Sequence, residues 1–425
     1  MQQRPVESFT LANGLQVVVL PSHRAPIVTQ VLIYKAGSAD EVPRQTGVAH
    51  FLEHMMFKGT ATVGPGEFSR IISRNGGRDN AFTDFDITGY HQTIAADRLE
   101  LVMRLEADRM ANLRIVDHEL IPERQVVLEE RRMRIDNSPA ALLGEAVREL
   151  LFGRFKPYGM PIAGYPADVK RLGVNELSAF YRRYYAPNNA VLIVAGDTTG
   201  DTVRKLAEKY YGPIPRRPVD RRRRPGEGGK DLPQRVQRAD ARVVEPRWAR
   251  AYLAPSYSMG QTQHAHALTV LAYLFGGSET SRLWRALVDQ SKLALSAWAG
   301  YSPATLGLTA FDLSVHIAPQ KSVADIEGAV SDQIKKLLDD GVTGEELERA
   351  QNQLLAAAIY SQDSLASGPR FYGSRLGVGG TVDDVNAWPQ NIAAVTPDSV
   401  VAAARDGWRE DGLVTSLLTP AEGTQ

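Results

Sequence analysis

The order of sequence patterns in the first half of this 425-residue chain recurs in its second half. The segment LTVLAYLFGGS (Leu268–Ser278) lines up with HFLEHMMFKGT (His50–Thr60), and the strand pattern of Asn189–Asp197 returns at Gly412–Pro420. Both pairs indicate an internal duplication with a period near 220 residues, which is too long for a solenoid repeat. The chain is therefore predicted to fold as two similar domains.

Strand and helix patterns are mixed within the first half. Asn13-Gly14 lies between two apolar stretches, which predicts a β-hairpin with a type I′ turn. Strand patterns at 28–34, 78–95 and 190–194 alternate with helix patterns, among them a long one at 117–136. This order predicts an α+β fold, in which two homologous α/β-sandwich domains each pack a sheet against helices.

Residues Pro213–Arg238 interrupt these patterns with many Pro, Gly and Arg residues. We interpret the segment as a solvated linker, which gives an N-terminal domain at 1–213, a basic linker at 214–238 and a C-terminal domain at 239–425. A nucleic-acid patch is the alternative. However, the chain carries 49 basic and 49 acidic residues, and no aromatic residues interleave with the arginines. We expect no nucleic-acid partner.

The chain contains no cysteine, which excludes disulfides, thiolate metal sites and a cysteine nucleophile. Its most apolar run, at 190–195, is far shorter than the roughly 18–20 residues that span a bilayer. The N-terminus shows no basic segment followed by an apolar one, so no signal peptide is visible. We expect a soluble protein without membrane insertion.

The first half contains the pattern His50-x-x-Glu53-His54. Residues four apart project from the same face of an α-helix, so both imidazoles can bind one metal ion. Glu53 lies on nearly the same face without being needed as a ligand. The pattern is the inverted order of the H-E-x-x-H zinc motif. The alternative is an ordinary helix that happens to hold two histidines, but that reading leaves the placement of the glutamate unexplained.

A catalytic zinc site needs a third protein ligand, and without cysteine it must be His, Asp or Glu. The helix pattern at 117–136 offers four glutamates, of which Glu123 and Glu130 are seven residues apart and share a face. The alternative is a set of solvated ion pairs with neighbouring arginines. Periodicity alone leaves both readings open for the four candidates Glu119, Glu123, Glu129 and Glu130.

His50-Phe-Leu-Glu53-His54, followed 76 residues later by Glu130, resembles the pitrilysin/insulinase family of zinc peptidases. That family includes the mitochondrial processing peptidases and short bacterial relatives. Three further stretches fit: ERQVVLEE (Glu123–Glu130), NGGRDNAFTDFDITGY (Asn75–Tyr90) and YRRYYAPNNAVLIVAGD (Tyr181–Asp197). The resemblance covers the whole chain, densely in the first half and thinly in the second.

The resemblance implies a zinc-dependent endopeptidase that hydrolyses peptides or unfolded polypeptides. It implies one Zn²⁺ per chain, with His50, His54 and Glu130 as ligands. Glu53 would be the general base that activates the attacking water, and Glu123 would orient a ligand or the base. The family's edge strand accepts the substrate backbone as an added strand, and its positions fall here on Asn80, Ala81, Phe82 and Thr83.

The second half departs from the family pattern. The positions opposite the metal-binding residues are Leu268, Leu271 and Ala272, so this half is expected to be metal-free. The family also carries an Arg and a Tyr seven residues apart that help to bind the substrate and the oxyanion. These positions fall here on Val288 and Leu295.

The loss of the Arg/Tyr pair beside an intact metal motif suggests a heterodimer. We hypothesise that a homologous subunit without zinc supplies the pair, and that this chain forms half of a closed chamber. Arg285 and Tyr301 could substitute, but they are sixteen residues apart. A self-sufficient homodimeric peptidase and a non-catalytic assembly subunit are the alternatives. A periplasmic location is favoured over the cytoplasm, because the start of the chain resembles bacterial relatives after removal of a signal peptide.

Overall fold

The chain divides into two compact units, each built on one β-sheet. The computed structural model describes residues 6–220, 222–224, 234–364 and 367–421. The first unit comprises residues 1–131, 160–223 and 360–385, and the second comprises residues 132–159, 224–359 and 386–425. Each sheet packs against helices, so the predicted α+β fold is confirmed.

Strands lie at 27–34, 78–83, 88–95 and 190–196, and a helix lies at 117–131, where the patterns in the first half of the sequence predict them. Among the helices that the structure describes, none combines the length and the apolar character of a membrane span. The strands are β1 (Glu7–Thr10), β2 (Gln16–Pro21), β3 (Ile27–Tyr34), β4 (Arg78–Thr83), β5 (Thr88–Ala95), β6 (Ala190–Gly196), β7 (Gln234–Asp240), β8 (Arg247–Ala254), β9 (Ala294–Tyr301), β10 (Thr309–Ile317) and β11 (Leu413–Pro420). The helices are α1 (Val48–Met55), α2 (Glu67–Arg74), α3 (Leu99–Asn112), α4 (Asp117–Arg131), α5 (Pro139–Phe152), α6 (Pro166–Val169), α7 (Val174–Tyr184), α8 (Gly200–Tyr210), α9 (Ala265–Gly276), α10 (Val323–Asp340), α11 (Gly344–Asp363), α12 (Ser367–Gly377), α13 (Val382–Asn386), α14 (Trp388–Ala393) and α15 (Pro397–Gly407).

The two sheets have the same topology. The first has the order β1-β2-β6-β3-β5-β4, and the second has the order β7-β11-β8-β10-β9. In both, the first strand of the shared pattern runs parallel to the last strand of the unit, as β2 does to β6 and β7 does to β11. The remaining neighbours are antiparallel. The predicted duplication is therefore visible as repeated strand order, with β1 as an addition to the first sheet.

The central strands of the first sheet are buried on both faces. Strands that are covered on one side alternate apolar and polar residues, whereas β2, β3 and β6 are apolar nearly throughout. Leu32 and Leu192 point into the larger core, and Ile33 and Ile193 point into a second cluster on the opposite face. Helix α12 covers that second face, where Leu376 is fully buried.

Each unit includes a helical segment from the other half of the sequence. Helix α12, from the C-terminal half, packs on β3 and β6 of the first unit. Helix α5, from the N-terminal half, packs on β7, β8 and β11 of the second unit. The sequence does not predict this exchange, because an amphipathic pattern shows that a helix has an apolar face but not which sheet it covers.

The first hairpin forms where Asn13-Gly14 predicts it, but the turn type is wrong. A type I′ turn requires a positive φ at both central residues. Gly14 has a φ of +93°, whereas Asn13 is not among the residues with positive φ. The buried Asn13 amide instead donates to the carbonyl oxygens of Tyr211 and Ile214, at 2.7 and 3.0 Å. A long-range contact therefore determines this loop.

The predicted linker at 214–238 is shorter than expected at both ends. Ile214 belongs to the first core, and residues 234–238 form most of β7, which pairs in parallel with β11. The strand pattern was hidden because β7 alternates half-buried and exposed polar side chains. Residues 221 and 225–233 of the predicted linker lie outside the described residues.

A buried ion pair lies beneath the helices of the first unit. The guanidinium of Arg109 donates to both carboxylate oxygens of Glu106, each at 2.7 Å, and the two residues are 2% and 0% exposed. The same guanidinium lies 4.2 to 5.0 Å from the ring centroids of Phe57, Phe68 and Tyr90. The pair thus joins α3 to β5 and to the residues that follow α1.

We expect Arg109→Ala to lower the free energy of unfolding by about 3–5 kcal/mol, because Glu106 would remain buried without a cation. Urea denaturation followed by circular dichroism measures the change. The matched control is Lys209→Gln, since the Lys209–Glu100 pair is solvent-exposed and contributes little. An Arg109→Ala protein as stable as the wild type would contradict the expectation.

Candidate metal centre

Helix α1 begins at a residue that only glycine fits well. Gly47, the residue before the helix, has a φ of +87°, and a Cβ there would lie 2.9 Å from a side-chain carbon of Val169. Gly47 offers no side chain to cap the helix. The buried carboxylate of Glu41 does so instead, accepting from the backbone N–H groups of Gly47 and Ala49 at 2.8 and 2.9 Å.

The two faces of α1 differ sharply. Phe51, Leu52 and Met55 are completely buried in the first core and hold the helix in place. The opposite face carries the half-buried residues His50, Glu53 and His54. The predicted motif therefore lies on a short helix whose orientation is determined by core packing.

Helix α4 packs against α1 and brings acidic residues to its histidines. Leu120 and Val127 bury the apolar side of α4. Glu130 Oε2 lies 3.0 Å from His54 Nε2 and 3.7 Å from His50 Nε2. Glu123 Oε1 lies 2.8 Å from His54 Nδ1. These four side chains are only 9% to 18% exposed, so the site lies in a partly desolvated cleft between two helices.

The donor set fits a tetrahedral metal site with one open position. Ligand atoms of His50, His54 and Glu130 lie within 4.8 Å of one another. Three ligands bonded to zinc at about 2.0–2.1 Å in tetrahedral directions are about 3.3 Å apart, and the two measured distances to Glu130 lie on either side of that value. Two histidines and one carboxylate are also a ligand set of catalytic zinc sites.

Glu123 contacts His54 at the ring nitrogen that does not face Glu130. A carboxylate accepts hydrogen bonds, so the Nδ1–H of His54 donates to Glu123 and Nε2 faces Glu130. Burial would lower the pKa of His54, but Glu123 and Glu130 raise it to about 9. Burial would raise the pKa of Glu123, but His54 and Lys58 lower it. Lys58 Nζ contacts the second oxygen of Glu123.

Glu53 contacts strand β4 instead of the other acidic residues. The hydroxyl of Thr83 donates to Glu53 Oε2 at 2.5 Å. Thr83 is the last residue of β4, which is the outermost strand of the first sheet and pairs with β5. The C-terminal end of the edge strand β4 thus lies directly beside the Glu53 carboxylate on α1.

The structure separates the four candidate glutamates of α4. Glu130 joins the two histidines, and Glu123 contacts one of them from the other side. Glu119 lies 3.9 Å from His118, and Glu129 is not part of the metal-ligating group found among the described residues. Asn80, Ala81 and Phe82 lie on β4 before Thr83, as the sequence analysis places them.

Two contacts of the site were missed by the sequence analysis. Lys58 lies four residues after His54, a spacing that could have suggested a shared partner such as Glu123. The hydrogen bond between Thr83 and Glu53 joins residues 30 apart, and no local pattern reports it.

The second unit fills the corresponding position with core side chains. Leu268 and Leu271 of α9 are fully buried, and Ala272 is 6% exposed. Val288 packs against the same core, whereas Leu295 on β9 is 44% exposed. The hydroxyl of Tyr301, a possible substitute for the missing tyrosine, donates to the carbonyl of Pro255 at 2.5 Å.

Comparison with known proteins identifies both halves of the chain. Residues 16–164 match the family model described as insulinase, peptidase family M16, and residues 171–354 match the one described as the peptidase M16 inactive domain. A zinc protease PqqE from Helicobacter pylori is 35% identical over 296 residues, which are 69% of this chain and 66% of that protein. An uncharacterized zinc protease from Mycobacterium tuberculosis is 31% identical over 405 residues, covering 93% of this chain and 89% of the relative.

A solved structure agrees with these sequence matches. The crystal structure of a protease from Helicobacter pylori superposes with a TM-score of 0.89 at 28% identity, over 98% of this chain and all of that one. The family expected from the motifs is therefore confirmed. The chain belongs to the pitrilysin/insulinase family of zinc peptidases, peptidase family M16.

Proposed function

We propose that this protein is a zinc-dependent endopeptidase that hydrolyses peptides or unfolded polypeptides, with one Zn²⁺ per chain. The observation that carries the proposal is the convergence of His50, His54 and Glu130 within 4.8 Å, next to the carboxylate of Glu53. The names of the zinc protease relatives agree with this reading.

In this proposal His50, His54 and Glu130 hold the metal, and Glu53 is the general base. When bound, zinc polarises the scissile carbonyl and lowers the pKa of a water molecule at the open position. Glu53 accepts the proton of the attacking water and passes it to the leaving amine. The hydroxyl of Thr83 orients the Glu53 carboxylate for both transfers.

The substrate would bind as an added strand along β4. An edge strand offers backbone N–H and C=O groups to an extended peptide, which gives affinity with little demand on sequence. Because Thr83 ends β4 and contacts Glu53, a peptide paired with Asn80, Ala81, Phe82 and Thr83 would have a peptide bond close to the metal centre. This geometry favours cleavage within a chain.

We further propose that the active form is a heterodimer. A metal ion held by these residues would offset only part of the negative charge that develops on the scissile carbonyl oxygen, so the reaction would need further hydrogen-bond donors or cations. The positions of the family's Arg and Tyr are Val288 and Leu295, and Tyr301 donates its hydroxyl to a backbone carbonyl. A homologous subunit without zinc would supply the pair and close the predicted chamber.

Two alternatives are distinguishable. A self-sufficient homodimer would be active without a second kind of subunit. A non-catalytic assembly subunit would retain its function without Glu53, and it accounts less well for a complete ligand set. The periplasmic location favoured by the sequence stays a prediction.

The assignment of Glu130 as the third ligand predicts that substitutions at Glu130 and at the adjacent Glu129 differ in their effect on zinc affinity. Loss of a residue that only hydrogen-bonds to a metal ligand weakens metal binding by about 10–100-fold. We expect Glu130→Gln to weaken zinc binding by more than this, because the variant loses a ligand. Glu129→Gln, one residue earlier on the same helix, is the matched control and should bind zinc normally. Competition with a chromophoric chelator measures both affinities. Equal losses in the two variants would disprove the assignment.

The role of Glu53 predicts loss of activity without loss of metal. We expect Glu53→Gln to lower kcat/KM by about 10²–10⁴-fold, because the variant cannot accept the proton of the attacking water. Cleavage of a quenched fluorescent peptide measures the activity, and elemental analysis measures the zinc content. Glu119→Gln serves as the control on α4. Wild-type activity in the Glu53→Gln protein would exclude this mechanism.

The heterodimer predicts that the zinc-loaded chain alone cleaves unstructured peptides slowly. Addition of the homologous subunit should raise kcat/KM by at least about 10²-fold, the scale of one oxyanion donor. An Arg→Ala substitution in that subunit is the control and should abolish the increase. Full activity of the isolated chain, with a homodimer seen by mass photometry, would contradict the proposal.

A further inference from the structure

The two faces of strand β4 have different neighbours. Asp79 and Thr83 lie on the face that contacts α2 and α1, where Asp79 accepts a hydrogen bond from Ser69 and Thr83 donates one to Glu53. Successive side chains of a strand alternate between faces, so Phe82 points the other way. It packs against the apolar cluster that α12 covers.

A cation lies over Phe82 on that second face. The guanidinium carbon of Arg370, on α12, is 4.9 Å from the centroid of the Phe82 ring. The same charge reaches His91, which pairs with Asn80 across β4 and β5. Burial and then Arg370 lower the pKa of His91, while Asp79 on the other face raises it. The charge of Arg370 therefore acts on residues of both β4 and β5 on this face.

The charge of Arg370 is available to a ligand. The residue is exposed, and no carboxylate of the described residues forms an ion pair with it. Contact with an aromatic face positions the guanidinium without neutralising its charge. Arg375, five residues further along α12, differs because Asp384 lies 3.5 Å from it.

We propose that Arg370 and Phe82 form a subsite that selects an acidic side chain in the substrate, within about three residues of the scissile bond. The inference rests on the proposed function, since it takes β4 to be the strand on which the substrate pairs. A substrate residue opposite Phe82 points its side chain to the α12 face, with its Cβ about 4.5–5.5 Å from that of Phe82. An Asp or Glu carboxylate at this position reaches the guanidinium, whereas a Lys or Arg side chain meets a like charge.

The position relative to the cleaved bond follows from the strand. Thr83 touches Glu53, and Phe82 is the preceding residue. A strand rises about 3.3 Å per residue, so the substrate residue opposite Phe82 lies only one or two residues from the one opposite Thr83. The preference should therefore appear at a single fixed position in a set of cleaved peptides.

A charge exchange tests the subsite directly. A ten-residue fluorescent peptide carries Gln, Glu or Lys at each position in turn, and its dissociation constant from the zinc-loaded Glu53→Gln protein is measured by anisotropy. We expect Glu to bind at least about 10-fold more tightly than Lys at one position. Arg370→Glu should invert this ratio, Arg370→Gln should bring it to about one, and Arg370→Lys should retain it.

The control is Arg375→Gln, which should leave the ratio unchanged because Arg375 already faces Asp384. The same peptides are then cleaved by the protein with intact Glu53, in the presence of the homologous subunit, and the cut sites are mapped. A ratio near one in the parent protein, or a ratio that Arg370→Glu does not alter, overturns the subsite while binding and cleavage still support the peptidase. Failure of every peptide to bind and to be cleaved overturns both.

Discussion

The contact of His54 with two carboxylates holds the candidate centre together. Helices α1 and α4 are far apart in sequence, and their packed faces leave His54 between Glu123 and Glu130 in a partly desolvated cleft. Charges in such surroundings are stable only with partners, and here each has one, since Lys58 contacts the outer oxygen of Glu123.

Other interactions of the first unit hold α1 in position for this contact. Glu41 satisfies the N-terminus of α1, and the pair of Glu106 and Arg109 lies under the aromatic residues that follow the helix. In the second unit α9 occupies the corresponding place and is buried on nearly every side. A helix that carries histidines must leave one face accessible, whereas a metal-free helix can use its whole surface for the core. The first unit therefore packs α1 with one polar face accessible, and the second unit packs α9 with nearly all of its surface buried.

Local rules predicted much of this structure. The spacing of His50, Glu53 and His54 requires only helical geometry, and the patterns at 28–34 and 190–194 predict the strands that form β3 and β6. Local sequence patterns could not predict features that depend on contacts with residues far away in the sequence. Glu130 and Glu123 share a face, and only the position of α1 decides which of them meets both histidines. The Asn13 turn depends on carbonyls about two hundred residues away, and β7 is a strand because β11 lies beside it.

The exchange of α5 and α12 makes each half of the polypeptide incomplete by itself. All strands of the first sheet lie before residue 197, whereas α12, which covers the apolar face with Val18, Ile33 and Ile193, begins at Ser367. The fold therefore depends on contacts of high sequence separation, which are slow to form. A fragment that ends before α12 would leave this apolar face uncovered, and a fragment that begins after α5 would leave β7, β8 and β11 without the helix that packs on them.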